Sequence, residues 1–530
     1  MKKNNYVVIG SGPSSAAAAT SLIAKGHSVT MVDVANDLPD DINLEIKRVS
    51  KLAYKKWSQK DKSILQPINK ILSGGLPIKT LFGSTFPYKD SEYVINQKNL
   101  PEGFDQYPSH AYGGFSRVWG ATAMRFHPED FKSWPITISD KHYRAIEELI
   151  SITSYDDDIK KEFKLPNQSQ GIKASNQAEK ILSLLKINKS KETLGKVKFG
   201  KSRLALKKTC QMCSNCLYGC PYNDIFSSTD LIQKLIPKKN FNLIKGLRAV
   251  KIIETEKNVT VVCKNENNDQ ILLNGDRVFV GAGVLNTSLL ILNTLDEWDK
   301  KVNLKDTQYF LLPFIGPKAD LTEPKHTLSQ FFIEIKDDCL SNHNIHTQFY
   351  TYNEMYKKEI VSKIKAISKL PGIDTILEFL SQRLIIAQGY LHSTDSRTTL
   401  LSLCGDKRNP RLRIEPQLQN KNYIKKVKSI WKRLSQIGSE CSLTALPFLG
   451  KITDIGRGYH TGGTFPMSES PSDLDSDLIG RPASLKRTHI IDASCWPNVP
   501  SATVTLTLMA NSMRISEEAV SLDMKKDIKN

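Results

Sequence analysis

Apolar and polar positions along the chain change period several times, and the changes outline its elements. Tyr6-Val-Val-Ile9 is a short unbroken apolar run of the kind that fills a buried strand. Gly10-Ser-Gly12-Pro13, an Ala-rich stretch and Ser28-Val-Thr-Met-Val-Asp33 follow it, which predicts strand, tight turn, helix and second strand. Strands and turns return from Phe241 to Leu295. There Asn258-Val-Thr-Val-Val-Cys263 beside Asn265-Glu-Asn-Asn268 predicts a hairpin, and Arg277-Val-Phe-Val-Gly281 a buried strand running into a helix. Alternation in Leu328-Ser-Gln-Phe-Phe-Ile-Glu-Ile335 and His346-Thr-Gln-Phe-Tyr-Thr-Tyr352 predicts further sheet. Residues 34–80 read as a lysine-rich, mostly helical insertion, with Lys51, Lys55 and Lys56 around Tyr54 and Trp57. A second basic, apolar helical region carries Ile360, Val361, Ile364, Ile367, Leu370, Ile376, Leu377 and Leu380. Packing against the core explains it, and a membrane-surface face flanked by lysines is the sharper alternative.

The first of these patterns carries chemistry. Gly10 allows the tight turn, Gly12 lets backbone amides approach a pyrophosphate, and the small Ser15 permits close packing of a helix whose positive N-terminus faces the phosphates. An acidic residue should end the second strand and bind a ribose. Asp33 stands there, about 20 residues after Gly12. The combination predicts dinucleotide binding without separating FAD from NAD.

Composition narrows the class. The 530 residues, 40% of them hydrophobic, can bury a large core, and no repeat or low-complexity linker divides them. A net charge of +19 suits anionic partners such as nucleotides, an acidic redox protein or an anionic membrane surface. The basic residues are spread along the whole length, and no nucleic-acid-binding signature gives them that use, so no nucleic-acid partner is expected. Lys2 and Lys3 before an apolar stretch imitate a secretory signal, but cleavage there would delete the phosphate-binding turn. A cytoplasmic protein is therefore expected, unless a partner carries it across a membrane. The uncharged runs near residues 4–24 and 493–513 contain, respectively, the Gly turn and Pro497 with Pro500, so neither reads as a spanning helix.

Four of the nine cysteines fall in Cys210-Gln-Met-Cys213-Ser-Asn-Cys216-Leu-Tyr-Gly-Cys220-Pro221, the spacing of bacterial ferredoxins. Such a run can close a [4Fe–4S] site, or a three-ligand [3Fe–4S] site if Cys220 is spare. Structural zinc and disulfides or idle thiols are the alternatives. Cys263, Cys339, Cys404, Cys441 and Cys495 are scattered and read as small buried apolar residues.

A family resemblance rests on five segments in order, roughly residues 6–33, 110–135, 210–221, 278–290 and 456–512. His110-Ala-Tyr-Gly113-Gly114-Phe-Ser116-Arg-Val-Trp119-Gly120-Ala121, with Pro128-Glu-Asp130-Phe and Trp134-Pro135 after it, resembles the flavin-covering segment of the glucose-methanol-choline (GMC) oxidoreductases. Paired glycines let a backbone lie flat against a ring. Phe115 and Ala121 stand where that family often has Ser/Thr and Gly. Gly281-Ala-Gly283-Val-Leu-Asn-Thr287 resembles the element that completes its FAD domain, Gly458-Tyr-His460-Thr-Gly-Gly-Thr464-Phe-Pro-Met467 its His-x-x-Gly-Thr-x-x-Met, and Asp492-Ala-Ser494-Cys-Trp-Pro497 its Asp-x-Ser-x-x-Pro. Within the group, the cysteine run is similar to the flavoprotein subunits of bacterial glucose and gluconate dehydrogenases.

The resemblance implies an α/β chain, α+β overall. A Rossmann-like FAD domain would span residues 1–300, a substrate-binding domain built on an antiparallel sheet 301–455, and a return to the FAD domain 456–530. It implies that Gly10, Gly12, Ser15, Asp33, Gly113, Gly114, Ser116, Trp119, Gly120 and Asp492 hold FAD. His460 would take the O–H proton of a sugar, polyol or other alcohol while hydride passes to flavin N5. Thr503 stands where the family has a second catalytic Asn or His, and a hydroxyl cannot serve as a base near neutral pH. Electrons would leave one at a time through a cluster at Cys210, Cys213, Cys216 and Cys220 to a carrier protein or quinone. The pattern leaves room for a small partner subunit and for peripheral contact with the inner membrane. An oxygen-using alcohol oxidase with a structural metal and a redox-inactive flavoprotein scaffold are the competing readings.

Overall fold

The computed structural model describes residues 3–67, 72–73, 76–88, 94–96, 106–160, 171–353, 373–417 and 422–529. Tyr6-Val-Val-Ile9 becomes the central strand, Asn5–Ile9, of a five-stranded parallel sheet. Its neighbours are Ser28–Asp33 and Arg277–Val280, with Phe241–Lys245 and Thr488–Ile490 outside them. A strand buried on both faces reads as an unbroken apolar run, which is what Tyr6 to Ile9 show.

Helix Pro13–Ala24 starts with proline in its first turn, where the missing N–H costs nothing. It ends at Gly26, in the left-handed region at φ +85°, where the N–H groups of Gly26 and His27 donate back to the carbonyls of Ile23 and Leu22. Ala16 to Ala19 are fully buried. Side chains that small let this helix pack closely against the last one, Thr505–Lys529. The last helix is also tied to the sheet. Buried Arg277 donates to both carboxylate oxygens of Asp523 at 2.6–3.0 Å, and the Tyr6 hydroxyl donates to the same group at 3.1 Å.

The expected hairpin is present, with Val259–Lys264 paired antiparallel to Gln270–Gly275, and Arg277–Val280 does run into helix Val284–Leu295. A seven-stranded antiparallel sheet forms the second layer. In it Phe331–Ile335 pairs with Ile345–Tyr350, which pairs with Leu384–Tyr390, and that strand with Tyr309–Ile315. Its other edge is Val197–Lys201, bonded to Phe331–Ile335. Helices Asn176–Ile187 and Asn422–Ser439 fill a separate apolar core against this sheet. The sheet therefore recruits the segment Val197–Lys201 from well before residue 301, because a strand edge is completed by whichever apolar strand reaches it. Conversely, Val302, Leu304, Leu401 and Leu412 from the middle of the chain belong to the core around the parallel sheet.

Helices Asp40–Val49 and Gln59–Leu65 account for much of the lysine-rich insertion, which closes its own small core around Trp57, Leu65, Phe82 and Phe86. Of the second basic region only helix Ile373–Ser381 is described, with Leu377 buried and Phe379 and Leu380 exposed. Ile360, Val361, Ile364, Ile367 and Leu370 lie outside the described residues, as does the side chain of Ile376. Among the described residues no helix is long and apolar enough to cross a membrane. Cys263, Cys441 and Cys495 are buried as expected, whereas Cys339 is exposed and Cys404 intermediate.

Asp523→Ala is expected to destabilise the protein by about 3 kcal/mol, because it strands the buried Arg277 guanidinium without a counter-charge. Urea denaturation measures this. The paired replacement Arg277→Met with Asp523→Leu should recover most of the loss, which a simple helix-packing defect would not.

Candidate active site

Two turns cross at the C-terminal edge of the parallel sheet. Gly10 sits at φ +96°, and a Cβ there would lie 2.5 Å from the carbonyl oxygen of Gly281. No other side chain fits. Ser15, on the first turn of helix Pro13–Ala24, donates to or is shared between the carbonyl oxygens of Ile9 and Gly281, both at 3.1 Å. It is thus buried behind the turn as a tie between strands and does not line the cavity. Gly12 differs, since nothing lies within 4 Å of where its Cβ would be and it faces the cavity. That open space at a helix N-terminus fits a pyrophosphate. Asp33, at the end of the second strand, accepts from the Ala35 N–H at 2.8 Å and lines the same cavity. Burial raises its pKa above the ordinary value.

The glycine pair closes over this turn. Gly113 and Gly114 both have positive φ, and a Cβ on Gly114 would reach within 3.4 Å of the Gly12 Cα. The Gly113 N–H donates to Ser11 Oγ at 2.8 Å. Ser116 Oγ donates to the Gly113 carbonyl at 2.6 Å, and Ser228 Oγ to the carbonyls of Ser11 and Gly113 at 2.8 and 3.0 Å. Gly113 and Ser116 thus knit the loop to the Gly10–Gly12 turn, while Gly114, Ser116, Trp119 and Gly120 line the cavity. Ser11 and Ser228 escaped the sequence reading, because serines that pair only in three dimensions leave no spacing signal. Ala121, which stands where the resembled family often has glycine, holds φ +58° while fully buried.

From the C-terminal part come Asp492, Thr503 and His460. Asp492 accepts from the Gly283 N–H at 3.0 Å, the Thr287 hydroxyl at 2.5 Å and the Ser494 N–H at 2.9 Å. It anchors two turns at the cavity wall, and burial raises its pKa. Thr503 Oγ1 accepts from the Met124 N–H at 3.1 Å and faces the cavity beside the N-terminus of helix Thr505–Lys529.

His460 lines the cavity, its ring stacked on Tyr390 at 4.6 Å between centroids. Its carbonyl accepts from the Thr307 hydroxyl at 3.3 Å, and its Nδ1 is buried with no partner. Removal from water, with nearby His346 adding repulsion, pushes its pKa down to about 4. The loop before it is held by buried Asp306, which accepts from the N–H groups of Gly456 and Thr307 at 2.7 and 2.8 Å. Gly462 and Gly463 do not open space beside the imidazole. They let the chain press against the carbonyl oxygens of Ala493 and Trp496, where a Cβ would come within 2.5 and 2.9 Å.

The cavity measures about 350 Å³, ordinary for a ligand site. Facing His460, its wall carries Gln348, Tyr350, Gln388 and Tyr390 from the antiparallel sheet, with Tyr88, Phe115 and Tyr459 within 5.6–6.1 Å of one another. Period-two alternation places His346, Gln348 and Tyr350 on one face of their strand, so this part of the wall was readable from sequence once the strand was placed.

The cysteine run lies just outside. Cys216 packs with Ala121 and Leu206, with Trp119, Cys210 and Met212 against the same group, so Trp119 separates run from cavity. Met212 and Ser214, both at positive φ, fold the run back on itself. Burial pushes Cys210 up to about 12 and Cys220 up to about 11, and each feels other cysteines of the run. Lys79, pushed down to about 8 by burial, donates to the Trp119 carbonyl and is held partly up by Cys216 and Cys220. Among the described residues, however, no three His, Cys, Asp or Glu side chains group closely enough to hold a metal ion. The zinc alternative is left without a ligand set, and the iron–sulfur expectation gains no support from the geometry.

The fold is similar to that of a solved structure, pyridoxine 4-oxidase from Mesorbium loti, at a TM-score of 0.58 and 13% sequence identity, over 97% of this chain and 99% of that one. No protein-family model and no curated protein matches the sequence. At this identity the likeness is one of fold.

Because its pKa is lowered, His460 stays neutral down to about pH 4 rather than 6.5. Histidine-detected NMR against pH should show its ring titrating about two units below an exposed histidine. A midpoint near 6.5 would contradict the burial described.

Proposed function

We propose that the chain is an FAD-dependent oxidoreductase of the GMC type, oxidising a CH–OH group of a sugar, polyol or other alcohol. The supporting observation is convergence. Five segments far apart in sequence, around Gly12, Gly114, Gly283, His460 and Asp492, line one cavity. The fold neighbour's name specifies oxidation of pyridoxine, which agrees with this class. Bound FAD would supply a hydride acceptor at flavin N5.

The chain's own residues would do the rest. Gly12 and the helix behind it would seat the pyrophosphate, Asp33 the ribose, and the turn at Asp492 the flavin end. Neutral His460 would accept the alcohol proton, its ring held by Tyr390. Thr503, bonded to Met124, would orient the substrate and take no proton. Gln348 and Gln388 bring amides to the wall facing His460 and would hold the substrate's other hydroxyls, which suits a polyol.

The cysteine run belongs to the proposal on its spacing. On that spacing alone Cys210, Cys213, Cys216 and Cys220 would hold an iron–sulfur cluster, which their arrangement among the described residues does not support; a carrier protein or quinone would be the electron acceptor. The run's place behind Trp119 and the cationic Lys79 beside Cys216 and Cys220 suit an anionic centre next to the cofactor.

Denatured protein should release FAD, and anaerobically purified protein should contain several irons with acid-labile sulfide per chain. Absence of flavin would overturn the reading, and stoichiometric zinc without iron would overturn its cluster. His460→Ala should keep FAD but slow flavin reduction roughly 10²–10⁴-fold in stopped flow. Thr503→Ala should cost much less.

A further inference from the structure

The loop that carries His460 is laid along a short rail, Asp306 to Tyr309, at the end of strand Lys301–Asp306. Loop and rail meet repeatedly. The Tyr309 carbonyl accepts from the Thr453 N–H at 3.2 Å, and the Gln308 side chain donates to the Thr453 carbonyl at 2.6 Å. Asp306 Oδ2 accepts from the Gly456 N–H at 2.7 Å, while its Oδ1 accepts from the neighbouring Thr307 N–H at 2.8 Å. Gly458 presses so close that a Cβ there would collide with the Thr307 carbonyl and come within 3.0 Å of Asp306 Oδ1. The Thr307 hydroxyl reaches the His460 carbonyl at 3.3 Å, and Thr461 then faces Asp306 in a short ladder.

Asp306 is 2% exposed, and each of its oxygens already faces an N–H donor. A carboxylate only accepts, so it holds both amides at once. Protonation would turn one oxygen into an O–H donor confronting an N–H. Of the two amides Gly456 is the one that can withdraw, since Thr307 is fixed beside Asp306 by the chain itself. Glu334, the other deeply buried carboxyl near the cavity wall, is held differently. His346 Nδ1 and His127 Nε2 lie 3.1 and 3.0 Å from its two oxygens, and these partners outweigh burial and keep it ionised. Asp306 has backbone dipoles in their place, and burial pushes its carboxyl up to about 7 against the pull of the two amides and of Arg397. Arg397 is the charge that faces it, itself bonded to Asp454 at 3.3 Å and lying over the Tyr423 ring. The remaining titratable groups on the packed segments are Lys305, which donates to the Pro497 carbonyl, Arg457 and Tyr459, bonded to each other at 3.1 Å, and His460.

We propose that ionised Asp306 is the positioning residue of His460: its carboxylate fixes the loop that sets the imidazole in the cavity, and its protonated form lets that loop go. The inference rests on the alcohol-oxidising reading, and Asp306 acts through the loop without touching substrate. His460 stays neutral down to about pH 4, so its own titration lies far below neutrality. A change of rate near pH 7 therefore belongs to the carboxyl. Flavin reduction should rise with pH through about 7, falling below that point by about tenfold per unit. Stability should run the other way. Between pH 3.8 and about 7 the folded protein keeps a proton on Asp306 that the unfolded chain has lost, so this group's contribution to stability falls as pH rises across that window and is level above it.

Spectroscopy and kinetics test this together. In flavin-loaded wild-type protein, glycine-selective nitrogen NMR should show the Gly456 amide shifting with a midpoint near pH 7, and infrared spectra should show a buried carboxyl titrating at the same point. A Gly456 amide indifferent to pH from about 5 to 9 would overturn the proposal whatever the activity. Asp306→Asn imitates the protonated form at every pH. With FAD still bound, it should reduce flavin at the low rate of the acid limb throughout, roughly 10²-fold below wild type at about pH 8, with KM changed little. Urea denaturation should show wild type losing stability relative to Asp306→Asn as pH rises toward about 7, and no further above. A plain packing role predicts neither the lost pH step nor the opposed slopes. A step near pH 7 that survives in folded Asp306→Asn would overturn the proposal. Should that variant not fold, the wild-type amide and carboxyl titrations decide alone. If no alcohol bleaches the wild-type flavin, the function reading fails instead, and the Gly456 titration still decides whether charge on Asp306 holds the loop.

Discussion

The contact between the Gly10 turn and the carbonyl of Gly281 governs the rest of the molecule. Where two parallel strands send their chains upward side by side, a single methyl on Gly10 would come within 2.5 Å of a backbone oxygen, a separation that atoms do not tolerate. With hydrogen there instead, Ser15 can tie both strand ends together. The first helix is then aimed into the cavity, and Gly283 is brought to where Asp492 can take its N–H. Loosen that crossing and the Gly10–Gly12 turn, the Gly113–Gly114 loop bonded to Ser11 and the turn at Asp492 all lose their common reference.

Electrostatically, the site is built by exclusion of water more than by charge. Asp33, Asp492 and Asp306 are raised, and His460 is lowered, chiefly by burial. Each carboxyl is compensated by backbone N–H groups at turns, so these groups serve as geometry. The exception is Glu334, where paired histidines outweigh burial. Of these four carboxyls, Glu334 alone is held below the usual range, one strand behind the cavity wall.

The parts that could be read from sequence are those whose physics is local. The Gly10–Gly12 turn, Asp33 at a strand end and the alternation of His346, Gln348 and Tyr350 declare themselves within a few residues. The family resemblance, not local pattern, pointed to His460, which lines the cavity. What was hidden depends on partners far away. That Ser15 faces backwards and that Ser228 closes the glycine loop needs the crossing of separate segments. That Glu334 faces His346 needs the strand register, since a slip of one residue would turn both to opposite faces. Gly462 and Gly463 show that glycine signals close approach without saying to what. The edge strand Val197–Lys201 shows why a boundary drawn in sequence fails for a sheet.

The bond from Tyr6 to Asp523 joins segments 517 positions apart, and its consequence is a matter of order in folding. The parallel sheet lacks its edge strand until Thr488–Ile490 is in place, and helix Pro13–Ala24 lacks its packing partner until Thr505–Lys529 is. The antiparallel sheet, with its strands between Val197 and Ile452, closes over shorter separations. Loop-closure entropy must be met before distant contacts reward it, so the parallel layer is the slower of the two to complete.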